Sequence, residues 1–225
     1  MSSLKPSKAR PFTYNPPSGL PEILYEDEHL LVVNKPAGLL SVPGKATDHK
    51  DCLESRLQNY CQSVRIVHRL DMATSGVMML AKTASAHRHL GLQFERRHTR
   101  KTYIAVVAGH VSGPSGRIDI PLICDWPNRP LQMVDFEHGK RAITDWEIVE
   151  IKSEITRLRL YPLSGRSHQL RVHMLAIGHP ILGDALYAPQ EIYAASNRLC
   201  LHAESLEFRH PEGGAVHRFD APCLF

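Results

Sequence analysis

The stretch HRLDMATSG, residues 68–76, decides how the rest of the chain is interpreted. Its single acid, Asp71, has apolar neighbours and follows Arg69 by two positions. The stretch leads into GVMMLAKT, a continuous apolar run that is typical of a buried strand. Asp71 is therefore expected at the mouth of a sheet. There it either anchors the loop, by capping a turn or pairing with an arginine, or acts as a nucleophile.

Apolar runs and alternating patterns on both sides of this stretch predict strands, with a few helical segments between them. The predicted strands are LLVV (30–33), GVMMLAKT (76–83), KTYIAVVAGHV (101–111), GRIDIPL (116–122), ITDWEIVEI (143–151), ITRLRLYPL (155–163) and RLCLHAESLEFRHP (198–211). Helices are predicted at 51–61, at 85–97 and at 167–180, the last with Ser167 as its cap. Strands without regular βαβ alternation predict an α+β fold with a mixed, mostly antiparallel central sheet, flanked by helices and loops.

The N-terminal residues differ in composition from the rest. Residues 1–21 contain five prolines and little apolar sequence, which predicts a flexible arm. SGPSG (112–116) is typical of a hairpin turn. No later segment has the composition of a linker, so residues 22–225 are expected to form one domain.

Composition excludes several classes of protein. Hydrophobic residues make up 43% and charged residues 22% of the 225 residues, as in ordinary globular proteins. No apolar run approaches the ~20 residues that a membrane-spanning helix needs. The N-terminus also lacks the apolar core of a secretory signal. The five cysteines form no CxxC pair, so we expect reduced thiols and a cytoplasmic protein.

The motifs of common cofactor and metal sites are absent as well. The fourteen histidines show neither HExxH nor zinc-finger spacing, which argues against a metal site. Neither GxGxxG nor GxxxxGK[ST] occurs, and GxSxG is missing too. We therefore expect no cofactor and no metal.

The positive charge is unevenly distributed. The formal net charge is only +4, but residues 82–101 contain six lysines and arginines against the single acid Glu95. Residues 157–173 contain four arginines and no acid. Each run alone is compatible with an ordinary solvated face, whereas the two together favour a surface for a polyanion such as RNA.

Three segments carry a resemblance to a known family. HRLDMATSGVMMLAKT (68–83), KTYIAVVAGH (101–110) and GRSHQLRVHMLAIGHPILGD (165–184) resemble the core motifs of the RluA-type pseudouridine synthases, in the same order and spacing. The resemblance runs from about residue 22 to the C-terminus. It implies the pseudouridine synthase fold and an isomerase that converts uridine to pseudouridine within RNA without a cofactor. Many members carry an N-terminal S4 domain, for which the arm here is too short.

The resemblance also assigns roles to five residues. Asp71 corresponds to the nucleophile, which attacks either C1′ of the ribose or C6 of the base. Tyr103 corresponds to a tyrosine that packs against the target base and takes part in proton transfer, although its pattern alone predicts a core aromatic. Arg171 corresponds to the arginine that pairs with the nucleophile. Arg69 is expected to replace a flipped base in the RNA stack, and His68 either contacts phosphate or fixes the loop.

Two further stretches narrow the resemblance within the family. PLICDWPNRP (121–130), together with MATSG after HRLD, resembles the dual-specificity members that modify 23S rRNA and the anticodon stem-loops of tRNAs. The expected partner is therefore stem-loop RNA, bound by a monomer, with no membrane. Two alternatives remain at this stage: an RNA-binding protein that keeps the fold without catalysis, and a hydrolase of small glycosides with an aspartate nucleophile.

Overall fold

The computed structural model describes residue 10 and residues 13–225. Its strands are β1 (Glu22–Glu26), β2 (Leu30–Lys35), β3 (Arg65–Ile66), β4 (Ser75–Ala81), β5 (Arg100–Ala108), β6 (Ser115–Asp119), β7 (Leu122–Cys124), β8 (Gln132–Val134), β9 (Ile143–Lys152), β10 (Ile155–Pro162), β11 (Leu201–Arg209) and β12 (Val216–Asp220). Its α-helices are α1 (Leu53–Tyr60), α2 (Ala84–Glu95), α3 (Gln169–Ala176) and α4 (Gln190–Ala194).

These elements form two compact units. The first unit comprises Thr13–Lys101 and His202–Phe225. The second unit comprises Thr102–Leu201 together with Arg10. The chain thus passes from the first unit to the second within β5 and returns at the start of β11.

The first unit is built on strands in the order β1-β2-β4-β11, with β3 paired to β4 and β12 paired to β11. All pairs are antiparallel except β4 and β11, which are parallel. Every residue of β4 is buried, as its continuous apolar sequence predicts. The core around it consists of Leu30, Val32, Val77, Met79, Ala81, Ala86, Leu90, Leu206, Phe208 and Ala221.

Gly76 makes the parallel pairing of β4 possible. It lies opposite Ala203 of β11 and has a φ of +118°, in the region that favours glycine. A Cβ atom at this position would collide with the backbone of Ala203. The glycine of the TSG turn is therefore required where the loop that carries Asp71 enters the sheet.

The second unit contains strands in the order β5-β10-β9-β6, all antiparallel, and a separate hairpin of β7 and β8. Along β10 buried and half-buried residues alternate, which confirms the strand predicted from ITRLRLYPL. A core cluster of Leu122, Leu131, Ala142, Val172, Leu175 and Tyr187 holds α3 in place. The α+β class with a mixed, mostly antiparallel sheet is confirmed.

Two local predictions were wrong. The residue that precedes α3 as its cap is His168, in the left-handed region with a φ of 52°, and not Ser167. SGPSG does not join a hairpin, because β5 pairs with β10 whereas β6 pairs with β9. In both cases a contact with a distant part of the chain decides the local structure.

The predicted arm, residues 1–21, lies partly outside the described residues. Within its described part Tyr14 is buried, and its hydroxyl donates to the carbonyl oxygen of Asp51 at 2.8 Å. The same hydroxyl accepts from the backbone N–H of Leu40 at 3.0 Å. Arg10 donates to the carbonyl oxygens of Ala185 and Ala188. These contacts attach the described part of the segment to its surroundings.

Candidate active site

Asp71 lies on the loop that connects β3 to β4. The loop turns tightly after the acid, because the backbone N–H of Thr74 donates to the carbonyl oxygen of Asp71 at 3.1 Å. Along the loop Arg69 is exposed, Leu70 is buried and Asp71 is half-buried. The buried leucine anchors the loop, and the two polar neighbours face outward to different degrees.

Ser41 fixes the backbone immediately before Asp71. Its hydroxyl donates to the carbonyl oxygen of Leu70 at 2.6 Å and accepts from the N–H of Leu70 at 3.2 Å. Ser41 is itself 4% exposed, so these hydrogen bonds form away from solvent. Both backbone groups of Leu70 are therefore satisfied by one side chain, which restricts the orientation of the next residue.

Lys35 fixes the backbone immediately after Asp71. Its fully buried ammonium donates to the carbonyl oxygens of Pro36, Leu39 and Met72 at 2.9, 2.7 and 3.1 Å. The N–H of Gly38 also donates to the carbonyl oxygen of Met72, at 2.9 Å. The segment NKPAG (34–38) forms the turn at the end of β2. The buried positive charge of Lys35 thus ties this turn to the loop that carries Asp71.

Lys35 and Ser41 were not predicted from the sequence, because neither stands in a recognisable motif. One signal was present: Lys35 ends a strand that is otherwise almost entirely apolar. A lysine in such a strand is rarely buried unless its ammonium is satisfied. Its acceptors, however, lie up to 37 positions away, and no sequence pattern names them.

His68 holds the start of the loop against β4 and α2. Its Nε2 accepts from the backbone N–H of Met79 at 3.0 Å, and its ring stacks on Phe94 with centroids 4.5 Å apart. Burial, and then the positive charge of Lys101, lower the pKa of His68 to about 3. The imidazole is therefore neutral at physiological pH, as an acceptor of an N–H requires.

Arg69 contrasts with these anchored neighbours. Its side chain is exposed, and its guanidinium has no hydrogen bond or ion pair to any residue that the structure describes. A planar cation that is not already paired is available to an incoming ligand without first breaking a contact. Arg69 thus has an exposed side chain that is available to a ligand, whereas Asp71, two residues later, is half-buried.

Tyr103 and Arg171 lie in the second unit. Tyr103 is a half-buried residue of β5, opposite Leu160 of β10. Arg171 is a buried residue of α3 that binds both carboxylate oxygens of Asp184, with Nε–Oδ2 and Nη2–Oδ1 distances of 2.8 and 2.6 Å. Since Asp71 belongs to the first unit, its predicted pairing with Arg171 stays a prediction.

Asp184 is a residue that the sequence analysis did not single out. It ends the third motif, and its Oδ1 also accepts from the backbone N–H groups of Leu186 and Tyr187, at 2.9 and 3.1 Å. The carboxylate thus fixes the turn after the motif and the guanidinium of Arg171 together. An acid at the end of a motif that contains a buried arginine is the signal that could have indicated this pair.

Two other polar residues of GRSHQLR, His168 and Gln169, are also held by hydrogen bonds. His168 shares a hydrogen bond of 2.7 Å between Nδ1 and the hydroxyl of Tyr187. The amide of Gln169 donates to the carbonyl oxygen of Ile143 and accepts from the hydroxyl of Ser164. This motif therefore consists largely of side chains that position the backbone of α3.

The two basic surfaces differ in how far their charges are neutralised. On β10, Arg159 pairs with Glu147 at 3.2 Å, and Arg157 lies opposite Glu150. On and after α2, exposed arginines have no ion pair or hydrogen bond from their side chains within the described part of the chain; these are Arg88, Arg96 and Arg97. The α2 surface is therefore the better candidate for phosphate contacts.

Two kinds of feature are absent from residue 10 and residues 13–225: a metal-holding group of side chains and a helix that could cross a membrane. No group of three or more His, Cys, Asp or Glu side chains in these residues is arranged to hold a metal ion. No helix within the same residues combines the length and the apolar character needed to cross a membrane.

Comparisons with known proteins identify the family. Residues 29–176 match the family model described as RNA pseudouridylate synthase. The dual-specificity RNA pseudouridine synthase RluA of Escherichia coli K12 is 54% identical over 214 residues, which cover 94% of this chain and 98% of that protein. The enzyme of the same name from Yersinia pestis is 53% identical, over 90% of this chain and 99% of that protein.

A solved structure supports the same assignment. Human RNA pseudouridylate synthase domain containing 1 superimposes with a TM-score of 0.76 at 27% identity, covering 92% of this chain and 85% of that one. The pseudouridine synthase fold and the isomerase class expected from the three motifs are thereby confirmed. The chain belongs to the RNA pseudouridylate synthase family.

Proposed function

We propose that this enzyme isomerises specific uridines in two kinds of stem-loop RNA, 23S rRNA and the anticodon stem-loops of tRNAs. One observation carries the proposal: a clamped loop presents Asp71 beside the exposed, unpaired Arg69 in a chain of this family. The relatives that are 51–54% identical are named dual-specificity enzymes, which supports two classes of substrate RNA.

Asp71 is the proposed nucleophile. In one route its carboxylate oxygen bonds to C1′ as the bond between C1′ and N1 breaks, and the electron pair stays on the uracil. The base then turns, its C5 bonds to C1′ and displaces the carboxylate, the proton on C5 is lost and N1 takes up a proton. In the other route the carboxylate first adds to C6. Both need an ionised carboxylate in a fixed position, which the contacts of Ser41 and Lys35 support.

Tyr103 and Arg171 complete the proposed chemistry. Tyr103 packs against the target base and takes part in removing the proton from C5. Arg171 pairs with the carboxylate of Asp71, which favours its charged form and directs it at the nucleotide. The rigid hold of Asp184 on Arg171 supports this role, because it leaves the guanidinium little freedom.

Arg69 is proposed to make the target base accessible. A base within stacked RNA must be extruded, at a cost of a few kcal/mol. The guanidinium of Arg69 enters the vacated space and partly replaces the lost stacking contacts. His68 is proposed to fix the loop, since its ring nitrogen and its ring face are both occupied by protein contacts.

The proposal also covers the oligomeric state of the enzyme and the cellular compartment in which it acts. The enzyme acts as a monomer in the cytoplasm, which agrees with free thiols at Cys52, Cys61, Cys124, Cys200 and Cys223. Sedimentation of the purified chain at micromolar concentration is expected to give a mass near 25.3 kDa. A mass of twice that value would contradict the monomer.

Pseudouridine mapping of total RNA tests the substrates. Cells that lack this protein are expected to lose pseudouridine at a site in 23S rRNA and at sites in tRNA anticodon stem-loops. Expression of the wild-type chain restores both. Loss in only one class of RNA would contradict dual specificity, and unchanged pseudouridine in both classes would contradict the function.

A further inference from the structure

Lys101, at the start of β5, is a half-buried ammonium without a counter-charge. Its side chain makes no hydrogen bond or ion pair with any residue in the described part of the chain. The other enclosed lysines of the first unit are satisfied: Lys35 donates to three carbonyl oxygens, and Lys82 pairs with Glu26 at 2.8 Å. An enclosed cation without a partner indicates a place for an anion that binds later.

The surroundings of Lys101 add positive charge. Burial, and then the guanidinium of Arg97, lower the pKa of Lys101 to about 8. Lys101 in turn helps to lower the pKa of His68. Along the sequence the nearest acid is Glu95, which is exposed at the end of α2, and Glu207 already pairs with Arg100 at 3.5 Å. Arg97, four residues before Lys101, thus adds a second positive charge that acts on it.

Arg97 has an unusual backbone for an arginine. Its φ is 60°, in the left-handed region, which residues with a Cβ atom rarely adopt. The N–H of Arg97 donates to the carbonyl oxygen of Phe94 at 3.2 Å, and Phe94 is the residue on which His68 stacks. Glycine would fit this turn better, so the arginine is explained by its side chain and not by the turn.

We propose that Lys101 and Arg97 bind one phosphate of the substrate RNA, close to the nucleotide that Asp71 attacks. The ammonium and the guanidinium both donate to phosphate oxygens, and the phosphate supplies the missing negative charge. The site lies near the reaction because Arg97 donates from its backbone to Phe94, His68 stacks on Phe94, and His68 precedes Asp71 by three residues. This inference rests on the proposed function, since it takes the ligand to be RNA.

The salt dependence of RNA binding tests the site. The probe is a fluorescent tRNA anticodon stem-loop, and its dissociation constant is measured by anisotropy between 50 and 300 mM salt. Lys101→Met and Arg97→Gly are each expected to weaken binding by about tenfold. Each is also expected to lower the slope of log affinity against log salt by about 0.7–0.9.

Two features of the design separate binding from folding. Lys152→Met removes the same charge from an exposed pair with Glu150 and is expected to change neither the affinity nor the slope. Arg97→Gly relieves the left-handed backbone, so its melting temperature is expected to equal or exceed that of the wild type. Weaker binding by a variant at least as stable cannot come from unfolding.

The outcomes distinguish this site from the proposed function. Slopes that equal the wild-type slope in both variants would overturn the phosphate site, even if the enzyme forms pseudouridine. A reduced slope in both variants supports the site, and it does so even if the wild-type chain forms no pseudouridine, which would overturn the proposed function alone. A slope reduced equally in Lys152→Met would overturn the site, because the effect would then follow from net charge.

Discussion

Lys35 donates from Nζ to the carbonyl oxygen of Met72 at 3.1 Å, and Met72 directly follows Asp71. On the other side of Asp71, Ser41 holds both backbone groups of Leu70. The proposed nucleophile thus lies between two backbone positions that are fixed by side chains of a single turn, residues 35–41. Loops are usually the mobile parts of a domain, and these contacts give this loop the precision that a nucleophile needs.

Lys35→Met is expected to slow catalysis more than it weakens RNA binding. The carbonyl oxygens of Pro36 and Leu39 lose a buried donor, which lowers the free energy of unfolding by about 2 kcal/mol. The loop shifts, and kcat falls by up to about 100-fold while KM changes little. Single-turnover kinetics and urea unfolding measure the two effects. As a control, Lys82→Met removes a partly buried lysine of the same unit and should leave kcat unchanged.

Arg69→Ala is expected to lose activity without losing stability. Since the side chain is exposed and makes no hydrogen bond or ion pair within the described residues, the free energy of unfolding should change by less than about 0.5 kcal/mol. The rate on a stem-loop should fall by about 100-fold, because the cost of extruding the base is no longer offset. Arg65→Ala, an exposed arginine of β3, serves as the control. Equal rates for Arg69→Ala and wild type would refute the flipping role.

Asp184→Asn is expected to destabilise the fold strongly. It removes the negative charge that holds the buried guanidinium of Arg171 by two hydrogen bonds, which costs about 3–5 kcal/mol. The comparison is Asp119→Asn, which breaks the equally short but exposed pair with Arg141 and should cost far less stability than Asp184→Asn. Urea unfolding of both variants measures the difference, and equal losses would contradict the importance assigned to burial.

Asp27 should make stability depend on pH in the acid range. Burial raises the pKa of Asp27, but hydrogen bonds from the N–H groups of His29 and Leu30 and from the side chains of Tyr25 and His210 outweigh it and lower the pKa to about 2. The folded state therefore gains stability from the ionised form above pH 3.8, the usual value, and loses it as the pH falls towards 2.

Urea unfolding at pH 5, 4, 3 and 2 checks this prediction. The wild type should lose about 2 kcal/mol more than Asp27→Asn between pH 4 and pH 2. Glu191→Gln, which changes an exposed carboxylate of α4, should follow the wild-type curve. If Asp27→Asn shows the full wild-type loss, the carboxylate is not the group responsible.

Much of the fold could be predicted from patterns that are local in sequence. The continuous apolar run of β4 reflects a strand that is buried on both faces, and the alternation of β10 reflects a strand that is buried on one face. Both strands were predicted correctly. Helix α2 was predicted from apolar residues spaced by four and lies within one or two residues of the expected bounds. The pairing of strands was not predictable in this way, because the partners of β6 and β11 depend on contacts far apart in the chain.

The candidate site shows the same division. Asp71, Tyr103 and Arg171 could be proposed as site residues because they stand in recognisable motifs. Lys35 was missed, and so was Asp184, because the importance of each rests on hydrogen bonds to partners that no motif names. Ser167 was expected to cap α3 because serine hydroxyls commonly accept from the first N–H groups of a helix. Instead His168, with a left-handed backbone, is the residue that precedes α3. Side-chain hydrogen bonds to distant backbone groups are the information that the pattern of residue types does not contain.

Release of tritium from C5-labelled uridine tests the central claim, that Asp71 is the nucleophile of an RNA pseudouridine synthase. Wild-type enzyme is expected to release the label from a transcribed stem-loop in proportion to the pseudouridine formed. Asp71→Asn should release none above background, while it binds the same RNA and melts at nearly the same temperature as the wild type. Substantial release by Asp71→Asn would contradict the claim.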